Sequence, residues 1–279
     1  METLAEHRCF GGVQGFYRHQ STATGTPMKF GVFTPPGAKK VPVVYFLAGL
    51  TCTEETFAIK AGAQQAAAEL GLALVTCDTT PRDLGIPNET AAWDFGAGAG
   101  FYLDATQSPW AGAYSMESYV LRDLRAAVHA NFPVDPGVEG LFGHSMGGHG
   151  ALTLGVKNPG IFKSLSAFAP ISAPTRCPWG VKAFTGYLGS DPAQWAAYDA
   201  SLLIEGLAGA KDRPALLVDQ GLADKFLEAQ LHPHLLEAAC QKSGYPLTLR
   251  RHDGYDHGYF FISSFVADHL RHHARTLKT

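Results

Sequence analysis

The stretch "GHSMGGHG" at residues 143–150 surrounds one serine with glycines and two histidines. Its first five residues fit the pattern G-x-S-x-G, in which a serine lies on a tight, strained turn between a strand and a helix. Side chains larger than hydrogen two positions from the serine would collide as the backbone doubles back, so the turn requires the glycines. The largely apolar residues 139–143 precede the turn, and residues 147–158 have helical character. This context predicts an exposed nucleophile at Ser145, with the positive end of a helix behind it.

Short apolar runs rich in β-branched and aromatic residues alternate with segments of helical periodicity, which is typical of an α/β domain. Several runs are apolar on both faces, as central parallel strands covered by helices are. The first forty residues alternate and turn like an antiparallel hairpin at the edge of the sheet. We therefore predict an α/β fold with a mostly parallel central sheet, helices on both faces and an N-terminal hairpin. The predicted strands are residues 41–49, 72–78, 140–144, 164–170, 214–221 and 247–253, and the predicted helices are residues 53–70, 117–131 and a last helix containing residues 262–269.

Length and composition narrow the class of protein. The 279 residues, 46% of them hydrophobic, are enough for one large core and few for two, so we expect a single domain over residues 1–279. The net charge of −3, without basic runs interleaved with aromatic residues, argues against a nucleic-acid partner. Neither a membrane-spanning apolar run nor a metal-binding spacing such as HExxH is present, so we expect no membrane partner, metal or cofactor.

The cysteines and the N-terminus predict a location. Five cysteines stand far apart without a CxxC pair, which is typical of free thiols in a reducing compartment. Glu2 and Glu6 stand where a secretory signal would need basic residues followed by an apolar run. We therefore expect the protein in the cytoplasm.

A serine hydroxyl is a weak nucleophile at neutral pH, so it needs a histidine base whose tautomer is held by a carboxylate. After a turn of this kind, the acid and then the histidine follow the serine along the chain. Of Asp219 and Asp224, we favour Asp224, because Asp219 still belongs to its predicted strand whereas Asp224 lies in the loop beyond it. Of His252 and His257, we favour His257, which lies in a loop with a following glycine just before the last helix.

Attack on a carbonyl also creates a negative charge that two backbone N–H groups normally hold. One should belong to Met146, directly after the nucleophile. The other should come from the loop after the strand predicted at residues 41–49, where Leu50 is our candidate.

Six ordered blocks are much more specific together than the serine turn alone. They are residues 47–57, 93–106, 143–152, 177–189, 219–227 and 254–265. These blocks resemble the S-formylglutathione hydrolase family, also called the esterase D family. The resemblance covers about residues 11–265 and implies an α/β-hydrolase that cleaves the thioester of S-formylglutathione to formate and glutathione and also acts on small esters. Matched block by block, it implies a nucleophile at Ser145, an acid at Asp224, a base at His257, and oxyanion-binding amides at Leu50 and Met146. It is also compatible with a homodimer.

The resemblance also bears on the pocket. It implies a thiol-sensitive cysteine at Cys52, where modification would crowd the substrate, although a buried cysteine at a helix start without a functional role fits the sequence nearly as well. Trp179 is a pocket candidate that packing alone would also explain. A formyl group implies a small acyl pocket, and the bulky residues that we expect to close it are Phe95, Phe101, Trp110 and Trp179.

Two other functions remain compatible with the sequence. One is a broad carboxylesterase or acyltransferase that uses the same three residues with another acyl preference. The other is a catalytically silent α/β-hydrolase that only binds a ligand, because a fold does not by itself imply activity. The presence of a serine, an acid and a histidine in the expected order argues against the second.

Overall fold

A computed structural model describes residues 1–278, and the strands in that range form one mixed sheet with the order β1-β2-β3-β5-β4-β6-β7-β8-β9. The six strands predicted from the apolar runs correspond to β4 to β9, with ends that differ by a few residues, most at the start of β6. The strands are β1 (Glu2–Cys9), β2 (Gly12–Gln20), β3 (Pro27–Thr34), β4 (Val41–Leu47), β5 (Ala73–Cys77), β6 (Val134–His144), β7 (Phe162–Phe168), β8 (Leu216–Gly221) and β9 (Leu247–His252).

The sheet confirms the predicted fold class. Strands β5, β4, β6, β7, β8 and β9 pair in parallel, whereas β1, β2 and β3 pair antiparallel, and β3 joins them to β5. The N-terminal hairpin is therefore extended by a third strand, β1, which the sequence did not indicate. β1 is largely exposed and forms the edge of the sheet, so it lacks the buried alternation by which strands are recognised.

Helices cover both faces of the sheet, as predicted. They are α1 (Glu54–Lys60), α2 (Gln64–Leu70), α3 (Met116–Ser118), α4 (Arg125–Asn131), α5 (Met146–Lys157), α6 (Pro178–Leu188), α7 (Ala200–Glu205), α8 (Pro233–Ser243) and α9 (Tyr259–Leu277). Along β6, Phe142 contacts His269 and His273 of α9, whereas its neighbour Gly143 faces the first turn of α5. Because successive residues of a strand point to opposite faces, α5 and α9 lie on opposite sides of the sheet. Across residues 1–278, no helix has the length and apolar character needed to cross a membrane.

Two predicted helices are less regular than the sequence pattern suggested. The helix predicted over residues 53–70 is interrupted, because Gly62 adopts a φ of +66° between α1 and α2. That left-handed conformation ends a helical path, and glycine adopts it at low cost. The helix predicted over residues 117–131 contains a π-helical segment, Tyr119–Leu124, between α3 and α4.

A buried polar network joins β8, β9 and α9. The Asp219 carboxylate, fully buried, accepts hydrogen bonds from Arg250 at 2.5 and 2.6 Å and lies 3.3 Å from Nε2 of His269. Burial alone would raise the pKa of Asp219, but His269 and Arg250 outweigh it and hold that pKa well below its usual range. The other ring nitrogen of His269 lies 2.8 Å from Oγ of Ser166, which also contacts His273. Asp219 therefore fastens the last strand and the last helix to the sheet.

Four buried histidines should make the fold sensitive to mild acid. Burial lowers the pKa of His149 to about 4 and lowers the pKa of His144, His269 and His273 as well. Because a histidine in the unfolded chain has a pKa of about 6.5, the unfolded chain binds more protons than the folded protein below that pH. The free energy of unfolding therefore falls as the pH falls. We expect His149 alone to lower the free energy of unfolding by about 2 kcal/mol between about pH 7 and pH 5.

Urea unfolding at several pH values measures this dependence. Asp219 does not contribute in this range, since its stabilising charge is lost only near and below the pKa of about 4 of an unfolded aspartate. A free energy of unfolding that stays constant between pH 7 and pH 5 would contradict the assignment of neutral buried histidines.

Candidate active site

The turn at Ser145 lies at the carboxyl end of β6, where α5 begins. Ser145 has φ +57° and ψ −119°, a conformation that costs a non-glycine residue energy and persists only where the surroundings impose it. Its N–H donates to the carbonyl of Phe168 at 3.0 Å, and its carbonyl accepts from His149 at 3.0 Å and from Ile171 at 3.2 Å. Hydrogen bonds to β7 and to the following segments therefore hold the strained residue.

Only glycine fits two residues before and two residues after the serine, because the surrounding backbone leaves no room for a Cβ atom. A Cβ on Gly143 would lie 2.1 Å from the carbonyl oxygen of Gly147, and a Cβ on Gly147 would lie 2.0 Å from the carbonyl oxygen of Leu47. Both distances are far below van der Waals contact, so the backbones of β4, β6 and α5 meet without intervening side chains. This is the steric reason for the spacing of the two glycines in the sequence.

The loops after β8 and β9 bring an acid and a histidine together. The N–H of Leu222 donates to the carbonyl of His252, and the N–H of Ala223 donates to the carbonyl of Tyr255, each at 2.9 Å. This pairing of the two loops places Nδ1 of His257 2.5 Å from Oδ2 of Asp224. Residues that are distant along the chain thus meet at the carboxyl ends of neighbouring parallel strands, where open α/β sheets bind ligands.

Asp224 is held by several donors. Its side chain is fully buried, and its Oδ1 accepts from the N–H of Phe226 at 2.8 Å. Its Oδ2 accepts from the Gln220 amide at 3.3 Å in addition to His257. With the carboxylate fixed in this way, Nδ1 of His257 is the donor and Nε2 is left as the proton acceptor, which is the tautomer that a general base needs.

Asp219, the other acid considered from the sequence, lies in the buried network with Arg250 and does not contact His257. His252, the other histidine considered, stacks on Phe265 at 3.8 Å between ring centroids and lies 3.4 Å from Asp219. Both therefore belong to the structure that supports the sheet.

Ser145 and His257 line one small cavity of about 120 Å³. Leu50 lines it from the loop after β4, next to Gly49, and Met146 follows the serine as the first residue of α5. The N–H groups in the first turn of a helix have no partner within the helix, so the Met146 amide is suited to hold an anion beside Ser145. The cavity is lined by Gly49, Leu50, Cys52, Trp93, His144, Ser145, Trp179, Phe226 and His257.

Aromatic side chains enclose this cavity, but three of the four expected ones are elsewhere. Trp179 lines it and contacts Trp93 at 5.4 Å and Phe226 at 4.7 Å between ring centroids. By contrast, Phe95 stacks on Tyr187. The other two, Phe101 and Trp110, are also buried in the core and absent from the cavity lining.

Sequence reasoning missed three of the residues around the serine. Trp93 stands two residues before Phe95 in a loop without regular structure, so no periodicity indicates which of the two faces the cavity. Phe226 follows Asp224 by two residues, and that proximity was a usable signal. His144, which directly precedes the serine, has its ring against that of His257, with centroids 4.5 Å apart.

Cys52 is half-buried in the cavity wall. Burial raises the pKa of its thiol, and the nearby Lys60 opposes part of that rise. A thiol with a raised pKa is a poor nucleophile at neutral pH, since the thiolate is the reactive form. Its position means that a group attached to its sulfur would occupy space beside Ser145.

The arrangement of Ser145, His257 and Asp224 is the one expected of a serine hydrolase, and the comparisons with known proteins show that the chain is a serine hydrolase of α/β-hydrolase architecture. The chain matches the esterase family over residues 21–272. It is 49% identical to an S-formylglutathione hydrolase from Mus musculus, with 99% of each chain covered. It is also 49% identical to an S-formylglutathione hydrolase from Paracoccus denitrificans, with 99% of this chain and 98% of that protein covered. A solved S-formylglutathione hydrolase from Agrobacterium tumefaciens superposes with a TM-score of 0.96 at 48% identity, covering 99% of this chain and 100% of that one. The chain belongs to the S-formylglutathione hydrolase family of esterases.

Exchanging each of the two aspartates for asparagine should separate their roles. Asp224→Asn removes the carboxylate that holds the tautomer of His257, so we expect kcat to fall about a thousandfold or more while the fold is retained. Asp219→Asn leaves Arg250 without its buried partner, so we expect a loss of about 3 kcal/mol of stability, with activity retained by the folded fraction. Ester hydrolysis and urea unfolding of both variants measure the difference. The reverse pattern would show that Asp219 is the catalytic acid.

Proposed function

We propose that this protein hydrolyses S-formylglutathione to formate and glutathione through an acyl-enzyme on Ser145, and that it also hydrolyses small esters. The observation that carries the proposal is the convergence of Ser145 and His257 on one cavity, with His257 hydrogen-bonded to Asp224, in a chain of this family. Leu50 and Met146 supply the proposed oxyanion donors from the backbone.

In the first half of the proposed reaction, Nε2 of His257 takes the proton of Ser145 while the serine Oγ forms a bond to the formyl carbon. The carbonyl oxygen becomes an oxyanion beside the amides of Leu50 and Met146. When the carbonyl re-forms, the C–S bond breaks and the thiolate takes the proton from His257. Because a thiol has a pKa of about 8.5, the thiolate leaves far more readily than an amine would. The mechanism therefore favours thioesters over peptides.

In the second half, water enters where the thiol has left. His257 takes a proton from the water as its oxygen attacks the formyl carbon, and the same two amides hold the second oxyanion. Collapse returns the proton to Oγ of Ser145 and releases formate. Asp224 stays ionised and stabilises the histidine cation that forms in each half.

All strands of residues 1–278 belong to one sheet, which supports our proposal that the chain acts as a single domain. A homodimer and a cytoplasmic location remain predictions from the sequence.

Replacing the nucleophile tests the proposed mechanism. We expect the wild-type protein to hydrolyse S-formylglutathione and Ser145→Ala to lower kcat/KM by at least about a thousandfold, because no other group supplies the acyl acceptor. Formate release and mass spectrometry of the acyl-enzyme measure the effect. Wild-type protein that hydrolyses p-nitrophenyl acetate but not S-formylglutathione would instead support a broad carboxylesterase, and wild-type protein inert towards both would support a silent binding protein.

The size of the cavity predicts an acyl-length preference. A cavity of about 120 Å³ enclosed by rings leaves little room beyond a formyl or acetyl group. We expect kcat/KM for p-nitrophenyl esters to fall about tenfold or more between acetate and octanoate, because extra methylenes would overpack the wall. Trp179→Leu should partly restore hydrolysis of the longer esters. Equal rates with acetate and octanoate in the wild-type protein would contradict a formyl-sized site.

A further inference from the structure

Four aromatic rings, each in contact with the next, form a row across the candidate active site. Phe226 contacts His257 edge to face at 5.0 Å between centroids, His257 contacts His144 at 4.5 Å, and His144 contacts Tyr259 at 6.2 Å. We refer to these four side chains as the ring row. Three of them, all except Tyr259, line the cavity that contains Ser145.

A lysine stands at each end of the ring row. Nζ of Lys225 lies 4.9 Å from the ring centroid of Phe226, and Nζ of Lys60 lies 5.9 Å from that of Tyr259. Both lysines are exposed to solvent. Each is thus held over an aromatic face beside the cavity, with its ammonium group free to meet a ligand.

Within residues 1–278, no carboxylate oxygen lies within 4.0 Å of Nζ of either lysine. The contrast is with Lys182, which lies in α6 three residues after the cavity-lining Trp179 and is paired with Asp94. A cation without a carboxylate partner is available to bind an anion from outside, whereas a paired one must first exchange its partner. Lys60 and Lys225 are therefore the unpaired positive charges at the two ends of the row.

The glutathione part of the proposed substrate has charges that match this arrangement. It is a tripeptide with a carboxylate towards each end and one ammonium group, so it carries a net negative charge at neutral pH. Three extended residues span about 10 Å. Successive ring centroids in the row lie 5.0, 4.5 and 6.2 Å apart. The long, flexible lysine side chains would therefore have to reach inward over the row to contact both carboxylates. The protein as a whole has a net charge of −3, so attraction of an anionic thioester must come from local cations.

We propose that Lys60 and Lys225 bind the two carboxylates of the glutathione moiety, one at each end of the ring row, and so determine the preference for glutathione thioesters over neutral esters. The inference rests on the proposed hydrolysis of S-formylglutathione. The thioester sulfur then lies over the middle of the row, beside His257, which must deliver a proton to it.

Charge reversal tests the inference. We expect Lys60→Glu and Lys225→Glu each to lower the ratio of kcat/KM for S-formylglutathione to kcat/KM for p-nitrophenyl acetate by about three- to tenfold, mainly through KM, because exposed ion pairs contribute modestly. The double variant should show roughly the product of the two effects. Lys60→Arg and Lys225→Arg, which keep the charge, should preserve most of the ratio.

Lys39→Glu is the matched control, since it changes the net charge by the same amount. Lys39 is exposed and lies two residues before β4 begins, so it is at the amino end of that strand, opposite to the carboxyl ends and the cavity. Its ratio should equal that of the wild-type protein. A ratio that falls equally in Lys39→Glu, or that does not fall in the double variant, would overturn the inference.

Inhibition by S-methylglutathione separates this inference from the proposed function. This thioether cannot be hydrolysed, so its competition with p-nitrophenyl acetate reports binding alone. Weaker inhibition of both glutamate variants, together with thioester turnover by the wild-type protein, supports both statements. If the wild-type protein does not turn over the thioester, the proposed function fails, while an unchanged inhibition constant in the double variant overturns the role of the lysines. Loss of the difference between variants at high salt would further identify the interaction as electrostatic.

Discussion

The site depends on the close approach of α5 to the ends of β4 and β6. With a Cβ at Gly143 or Gly147, the backbones could not come together, and the turn between them would open. The strain at Ser145 persists only because that approach and the hydrogen bond to Phe168 leave the residue no alternative. Every other part of the candidate site is positioned relative to this turn. The histidine and the acid come from loops that end on the same edge of the sheet, and the cavity is the space between those loops and the serine.

Two aspartates only five residues apart illustrate how surroundings assign a role. Asp219 is still within β8, where its side chain pairs with Arg250 and His269 and has a structural role. Asp224 lies beyond the strand, and its carboxylate faces His257, which borders the cavity. The chemistry of the two side chains is identical. The difference is that a residue within a strand is committed to packing, whereas a loop residue at a carboxyl end is free to face a ligand.

The sequence predicted those features that follow from local pattern or from chain order. The parallel strands were recognised because they are apolar on both faces, and the turn at Ser145 was recognised because its glycines are a steric requirement. The break at Gly62 and the third antiparallel strand were missed, since one depends on a single backbone angle and the other is an exposed edge without alternation. The ring contacts were the least predictable. Trp93 and Phe95 are equally bulky neighbours, and only the path of an irregular loop decides that the first borders the cavity and the second stacks on Tyr187.

The two amides that we propose for the oxyanion belong to the main chain, at Leu50 and Met146, and this has a consequence for protein engineering. The stabilisation of the intermediate would then not depend on the identity of either side chain. Exchanging the side chains of wall residues such as Leu50 and Trp179 would admit other acyl groups while the two amides stay in place. Laboratory evolution of this scaffold would therefore reach new substrates most directly through its wall residues.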